Sequence, residues 1–496
     1  MTALTSTPSA TLPRIIQGGM GVAISGWELA RAVSSLGELG VVSATGIDNL
    51  MVRRLQDGDE GGHVRRALQG YPDQERVQEV LRGWFLEGGR PPGKGYKRVP
   101  LPSLTNHRVG WELAVMGGFV EVTLAKEGHA NPVGANLLTK LQMHTLPAIY
   151  GCLLGGVDTV IMGAGIPRDI PGVLDAFAQG KAASIRLDIK GDSTGEPVMV
   201  TFDPAEYGFG GLSLGRPRFY PIVTSHVLAG VLARKASGSI EGFVIESPTA
   251  GGHNAPPRGT VTYDDLGQPV YGERDLADLD EMRKLSLPFW LAGGSGSPEA
   301  LRAALDQGAA GIQVGTLFAY CQESGFRDEL RSQVHQRAQD ERLSVFTDPL
   351  ASPTGFPFKV VRLPDTLSNE ELYRERPRIC DIGYLREAYR DPAGKVGLRC
   401  PAEPVDTFLA KNGKLEETVG RKCLCNALMA DAGHAQIQKG GYQELPLLTS
   451  GDGISALSDW PLGYTAEDVV RYLRGEKVVS SSGVSTPSVV STSAES

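Results

Sequence analysis

Glycine clusters follow four short apolar runs of this chain, and one cluster carries a histidine. They lie at 18–21 (GGMG), 247–253 (SPTAGGH), 293–296 (GGSG) and 315–316 (GT). Where side chains are absent, backbone N–H groups can approach an anion closely. One such cluster is most simply a tight turn. Four of them, each at the end of its own strand, instead predict a shared site for a phosphorylated ligand.

His253 is the side chain in these clusters with the clearest chemistry. It follows two glycines directly. A neutral imidazole near pH 7 can remove a proton from an acidic carbon or donate one to a developing anion. An isolated histidine is usually a surface or hydrogen-bonded residue. Its position after a glycine turn at a strand end makes His253 the candidate catalytic residue.

The sequence pattern predicts alternating strands and helices as the elements that position these residues. Helical patterns cover 26–36, 141–154, 225–236 and 297–306. Eight β-then-α units predict an α/β fold, a TIM (β/α)8 barrel, whose functional face is formed by the carboxyl ends of its strands. The eight apolar runs are 14–17, 40–43, 132–138, 159–162, 219–223, 242–246, 288–292 and 311–315.

The chain is longer than the roughly 250 residues of such a barrel, so insertions are expected. We assign 13–344 to the barrel, with an insertion near 47–108 and an added hairpin near 181–217. Residues 345–476 form a C-terminal lid or extension, in which the proline-rich stretch 347–361 closes over the barrel mouth. The Ser/Thr-rich ends, 1–12 and 477–496, are predicted to be disordered.

Composition excludes several classes of protein. The 496 residues are 41% hydrophobic, which predicts a folded chain, and their formal net charge of −8 argues against binding nucleic acid. Six cysteines and the lack of a signal-peptide pattern favour a cytoplasmic protein. The apolar stretch 148–166 contains Asp158 and five glycines, so we read it as a helix end, a turn and a buried strand rather than a membrane span.

Several motifs together resemble those of the 2-nitropropane dioxygenase or nitronate monooxygenase family. This family of FMN-dependent TIM barrels includes flavin-type enoyl-ACP reductases and the enoyl reductases of polyunsaturated-fatty-acid synthases. The chain departs from the compact family pattern by its two long additions and by AGGHNAPPRG in place of AGGHRG. The motifs are RIIQGGMG (14–21), GANL (134–137), VTS (223–225), AGGH (250–253), AGGSGSPEALRAALDQGAAGIQVGT (292–316) and ES (323–324).

The resemblance implies that the protein binds FMN and is an oxidoreductase that oxidises alkyl nitronates with O2. In such an enzyme His253 would deprotonate a nitroalkane or hold its nitro oxygens. The alternative is an enoyl-thioester reductase that uses NAD(P)H as co-substrate. A third reading is a docking module that keeps FMN only as structure. The expected partner is a small-molecule or acyl-thioester substrate, and formation of a homo-oligomer is left open. The implied FMN contacts are Gly293, Gly294, Gly315 and Thr316 at the phosphate, Gly251 and Gly252 beside it, and Gly19, Met20, Gly21 and Asn136 near the ring.

Four cysteines of the extension form a separate group: Cys380, Cys400, Cys423 and Cys425. Four thiolates in a loop-rich region can bind zinc or an iron–sulfur cluster. However, Cys423 and Cys425 are separated by a single residue, and the other intervals are about twenty residues, unlike the usual spacing of metal ligands. The alternatives are a metal site and four reduced, unpaired thiols, and the spacing favours the second.

Overall fold

The computed structural model describes residues 12–192 and 195–476. The predicted disordered ends therefore lie outside the described residues, apart from Leu12, which is exposed.

The described residues form fifteen strands and sixteen α-helices. The strands are β1 (Ile15–Gln17), β2 (Gly40–Ser43), β3 (Val133–Leu138), β4 (Thr159–Gly163), β5 (Ala183–Arg186), β6 (Ile189–Lys190), β7 (Met199–Phe202), β8 (Arg218–Val223), β9 (Phe243–Glu246), β10 (Phe289–Ala292), β11 (Gly311–Val314), β12 (Val345–Asp348), β13 (Phe358–Val361), β14 (Glu387–Arg390) and β15 (Val396–Arg399). The helices are α1 (Trp27–Ser35), α2 (Ile47–Gln56), α3 (His63–Leu68), α4 (Gln74–Trp84), α5 (Arg108–Ala125), α6 (Gln142–Leu154), α7 (Ile170–Ala178), α8 (His226–Lys235), α9 (Leu279–Lys284), α10 (Pro298–Asp306), α11 (Thr316–Ala319), α12 (Asp328–Gln339), α13 (Glu370–Glu375), α14 (Val405–Ala410), α15 (Leu424–Asp431) and α16 (Ala466–Leu473).

Eight parallel strands form the barrel, in the order β1-β11-β10-β9-β8-β4-β3-β2. The ring closes beside β1, where the backbone N–H of Gln17 donates to the carbonyl of Leu39 at 2.9 Å. Each of the eight predicted runs coincides with one of these strands to within one residue at either end, which confirms the TIM barrel. Short runs rich in Val and Ile suit strands buried on both faces. Large side chains such as Tyr220 and Trp290 fill the interior.

Helices connect the barrel strands where the sequence predicts them. At the starts of α8 and α10 the Ser225 and Ser297 hydroxyls accept hydrogen bonds from Leu228 N and Ala300 N, both at 3.1 Å. These side chains satisfy backbone donors that an α-helix leaves free at its first turn. The hydrogen-bonding serines therefore fix where both helices begin.

The additions pack onto the barrel. The predicted hairpin is present, because β5 and β7 pair antiparallel. The stretch 47–108 holds α2, α3 and α4, followed by a chain without regular structure that leads into α5. In the extension β12 pairs antiparallel with β13. Helix α16 packs against α1, and just beyond the two helices Arg474 forms an ion pair with Glu38 at 2.9 Å. Among the described residues, we find no helix with the length and apolar character needed to cross a membrane.

Candidate active site

A cavity of about 430 Å³ lies at the carboxyl ends of the barrel strands. Loops that follow the strands meet at this face, which is where TIM barrels place their active sites. The cavity wall includes the predicted catalytic His253 and all ten predicted cofactor contacts, namely Gly19, Met20, Gly21, Asn136, Gly251, Gly252, Gly293, Gly294, Gly315 and Thr316. The fold thus brings these residues to one place, while the role of each stays a prediction.

The turn after β10 forms one end of the cavity. Gly293 and Gly294 have φ of +88° and +68°, in the left-handed region that side chains rarely adopt. A Cβ at Gly293 would lie 2.3 Å from Ser247 Oγ and 3.0 Å from the backbone nitrogen of Ala250. Two strand-end loops therefore pack closely here, in an arrangement that allows main-chain N–H groups to approach an anion.

Residues 449–453 of the extension cover the same end of the cavity, and the sequence reasoning missed them. Gly451 N donates to Thr316 Oγ1 at 3.2 Å. A Cβ at Gly251 would lie 2.7 Å from the carbonyl carbon of Ser450. The Gly-Asp-Gly sequence within this segment is a glycine-rich signal, but it does not follow a barrel strand, which is where the fold predicts the site.

Lys359 links strand β13 to the glycine turn of the AGGH motif. Its ammonium group contacts both carboxylate oxygens of Asp452, at 2.6 and 2.8 Å, and its backbone N–H donates to Gly252 O at 2.9 Å. Lys359 is only 3% exposed, so its charge depends on this carboxylate partner. The ion pair thus joins two parts of the extension, and the backbone hydrogen bond from Lys359 to Gly252 holds the extension against the cavity.

Asn136 and Gly19 lie in contact at another part of the wall. Asn136 Nδ2 donates to Gly19 O at 3.1 Å, and a Cβ at Gly19 would fall 2.1 Å from Asn136 Cβ, so only glycine fits there. Among the described residues, Asn136 Oδ1 and Gln313 Oε1 are buried without a hydrogen-bond partner. Both residues line the cavity. Unsatisfied buried acceptors are costly, so this wall is suited to a ligand that presents N–H or O–H donors.

His253 is held by the extension rather than by the barrel alone. Its Nε2 lies 2.7 Å from Ser352 Oγ, and its ring packs edge-on against Phe358 at a centroid distance of 4.8 Å. Burial, with a smaller contribution from the charge of Lys140, lowers the pKa of His253 to about 4. The imidazole is therefore neutral at pH 7 and can accept a proton. Of the two phenylalanines of 347–361, Phe358 lines the cavity, whereas Phe356 lies against the ammonium of Lys140 at 4.7 Å.

Two carboxyl groups line the cavity that the sequence reasoning did not single out. Glu246 ends β9, and burial raises its pKa to about 8. Asp431 ends α15 and is fully buried. Burial also raises the pKa of Asp431, whose Oδ1 accepts from Leu447 N at 3.0 Å while Oδ2 has no partner among the described residues. Glu246 is therefore held as a neutral acid near pH 7, and burial favours the protonated form of Asp431.

Glu246→Gln is expected to gain stability relative to the wild type as pH rises. In the folded protein Glu246 stays protonated up to about pH 8, whereas in the unfolded chain it ionises near its ordinary pKa of 4.5. Between these values unfolding releases a proton, so the free energy of unfolding of the wild type falls as pH rises. Glutamine cannot titrate. Melting curves of both proteins should therefore diverge between pH 4.5 and 8, and a constant difference would contradict the raised pKa.

The four cysteines of the extension do not lie in this cavity. They line a second and much smaller cavity together with Glu403. All are free thiols. In the part of the chain that the structure describes, no three His, Cys, Asp or Glu side chains are arranged as they stand to hold a metal ion. The metal prediction is thus not supported by the present side-chain arrangement.

Part of the barrel matches the sequence model of a known protein family. Residues 215–349, which contain β8 to β11 and both the AGGH and the GGSG turns, match the family model described as nitronate monooxygenase. The resemblance predicted from the motifs is confirmed over this segment. No curated protein sequence gives a significant match to the chain.

Solved structures resemble the chain over most of its length. FabK from Thermotoga maritima aligns with 93% of this chain and 91% of its own at 15% identity and a TM-score of 0.42. Nitroalkane oxidase from Streptomyces ansochromogenes aligns with 94% of this chain and 95% of its own at 16% identity and a TM-score of 0.41. The enoyl reductase domain of MlnA from Bacillus amyloliquefaciens aligns with 93% of this chain and 94% of its own at 12% identity and a TM-score of 0.43. These identities and TM-scores are too low to assign an activity to the chain.

Proposed function

Since residues 215–349 match the nitronate monooxygenase family model, we propose that this protein is an FMN-dependent oxidoreductase that oxidises alkyl nitronates with O2. The observation that carries the proposal is the arrangement of one cavity. A cradle of glycine turns and a neutral histidine line the same space at the functional face of a TIM barrel. The glycine turns suit a phosphate, and the neutral histidine suits removal of a proton from a carbon acid.

The residues present fit FMN. The glycine turns after β10 and β11 lie where this architecture recurrently binds phosphate. The unsatisfied acceptors Asn136 Oδ1 and Gln313 Oε1 fit the N–H and hydroxyl donors of a flavin and its ribityl chain. FMN, when bound, supplies the redox-active ring that no amino-acid side chain provides.

His253 performs the proton chemistry in this proposal. Its neutral ring accepts the proton of a nitroalkane at the carbon next to the nitro group, or hydrogen-bonds the nitro oxygens of a substrate that is already a nitronate. The contact of Nε2 with Ser352 Oγ fixes the orientation of the ring. The contact with Phe358 limits access of water to the reacting carbon.

The alkyl part of the substrate has an apolar wall to contact. Leu138 and Ile222 from the barrel, and Phe358 and Leu428 from the extension, line the cavity. Because the last two belong to the C-terminal addition, we propose that this addition sets the shape and length of the substrates accepted.

Anaerobic mixing of the FMN-loaded protein with one reductant at a time tests the proposal. We expect a nitronate to bleach the flavin absorption band within the dead time of manual mixing and NADPH alone to leave it unchanged, because His253 and the cavity are assigned to a carbon acid. Absorbance at the flavin band is the measurement. A buffer addition and free FMN with each reductant serve as controls.

An NAD(P)H-dependent enoyl-thioester reductase is the second candidate, because the same cavity could place His253 beside a thioester carbonyl. Prompt bleaching by NADPH, followed by reoxidation on addition of an enoyl thioester, would establish it and would overturn the nitronate assignment. Bleaching by the nitronate alone would exclude it.

A further inference from the structure

Four cysteines from three separate segments of the extension surround one small cavity. Cys380 lies in a loop, Cys400 follows strand β15, and Cys423 and Cys425 lie at the start of α15. Cys423 is the residue immediately before the first turn of the helix, and Cys425 lies within that turn. This helix start explains how two cysteines separated by one residue can both border the same space.

One further group, the carboxylate of Glu403, indicates that this cavity suits a cation. Glu403 also lines it, is 3% exposed, and has an Oε1 atom without a hydrogen-bond partner among the described residues. Its other oxygen, Oε2, binds Lys411 at 2.7 Å. A buried acceptor left without a donor is costly, and such atoms mark sites that take a further positive or hydrogen-bonding group.

The charge surrounding the cavity suits a cluster of thiolates. The guanidinium of Arg386 donates to the carbonyls of Gly383 and Pro102. Its electrostatic partners are Cys380, Cys400 and Cys425 together with Glu403. Four thiolates around a divalent ion carry a net charge of −2, which a half-buried arginine at this position partly offsets.

We propose that Cys380, Cys400, Cys423 and Cys425 bind one Zn²⁺ ion as a structural four-thiolate site. Binding converts four thiols to thiolates and releases four protons to the solvent. Because the four thiols are not yet arranged around one point in this structure, zinc binding requires some of the cysteine side chains to turn to other staggered χ1 positions. Zinc takes four sulfur ligands in a tetrahedron when its role is structural.

The site would position a wall of the larger cavity. Helix α15 begins beside Cys423 and Cys425 and ends at Asp431, and both Asp431 and Leu428 line the candidate active site. The segments joined by the four thiols have little regular structure of their own. A metal that ties them together therefore fixes the helix that carries these two residues.

Metal analysis of matched variants tests the proposal. The full-length protein, produced in zinc-supplemented medium and purified without chelators, is expected to contain about one zinc ion per chain by mass spectrometry. Cys423→Ala/Cys425→Ala should lower the zinc content at least about tenfold. The control is Cys152→Ala/Cys321→Ala, which removes two buried thiols elsewhere in the chain and should leave the zinc content unchanged.

X-ray absorption at the zinc edge of the wild-type protein gives a second test that does not depend on a variant folding. We expect a single shell of four sulfur atoms at about 2.3 Å. Protein isolated without stoichiometric zinc, equal zinc in both double variants, a shell of nitrogen or oxygen, or iron in place of zinc would each overturn the proposal.

Discussion

His253→Ala is expected to lower kcat by about 10²- to 10⁴-fold, the range that a positioned acid–base group contributes. The fold and the flavin content should be preserved, because the substitution removes one side-chain hydrogen bond, to Ser352, and one ring contact, with Phe358, and leaves the glycine turns intact. The measurement is steady-state oxidation of a nitroalkane that must be deprotonated, compared with its preformed nitronate. If His253 removes the proton, the nitroalkane reaction loses more activity than the nitronate reaction.

A matched histidine gives the control for this prediction. His226 lies in a different cleft and accepts a hydrogen bond from Asp278 N at 3.1 Å, so His226→Ala should leave kcat unchanged. Ser352→Ala, which removes only the partner of the imidazole, should cause a smaller loss than His253→Ala. Unchanged turnover of His253→Ala in both the nitronate and the NADPH assays would instead support a docking module that keeps FMN only as structure.

The pH dependence of kcat/KM should also differ from that of an ordinary histidine enzyme. Burial lowers the pKa of His253 from 6.5 to about 4, so the base is already deprotonated throughout the neutral range. The acidic limb of the profile should therefore lie near pH 4 and not near 6.5. The lowered pKa also means that the folded state loses stability as pH falls from 6.5 to about 4, because the unfolded chain binds the proton more readily in this range.

Gly293→Ala is expected to weaken FMN binding by about 10- to 100-fold, which corresponds to about 1.4 to 2.8 kcal/mol. An alanine at φ of +88° is strained, and its Cβ would press on Ser247 and on the backbone nitrogen of Ala250. The turn must move to relieve this contact, and the main-chain amides then leave the position that a phosphate requires. Titration of the flavin-free protein with FMN, followed by fluorescence quenching, measures the effect.

Gly296→Ala is the matched control in the same loop. Gly296 also lines the cavity, but its Cβ would find ordinary contact with Leu317 Cδ1 at 3.6 Å, and its φ is outside the left-handed region. FMN affinity should therefore be retained. Equal affinity of both variants and the wild type would contradict the assignment of the β10 turn to the phosphate.

The barrel was predictable from the sequence because its signals are local. Each strand is a short run rich in Val, Ile or aromatic residues bordered by glycine or proline, and the helices begin at recognisable residues such as Ser225 and Ser297. Carboxyl ends of parallel strands meet at one face, so the glycine turns could be placed together before any coordinates were known. Together with the family resemblance, which implied the ten cofactor contacts, this reasoning named eleven wall residues of one cavity, His253 included.

The rest of the site depends on contacts between distant parts of the chain. Residues 449–453 reach Thr316 and the AGGH turn, Ser352 reaches His253, and Asp431 arrives at the end of a helix that belongs to the extension. No local pattern marks these residues, because each is functional only through the element against which it packs. The order of the cysteines in the sequence likewise gave no indication that all four border one cavity.

The sequence by itself determined the barrel, the glycine turns and the position of His253 at a strand end, because these follow from backbone conformation and the period of apolar residues. Only the tertiary structure decided that the pKa of His253 is lowered, that Glu246 is held as a neutral acid and that burial raises the pKa of Asp431. The physical reason is that a pKa depends on how far water is excluded from a group and on the charges around it, and both are set by chain segments that are distant in the sequence.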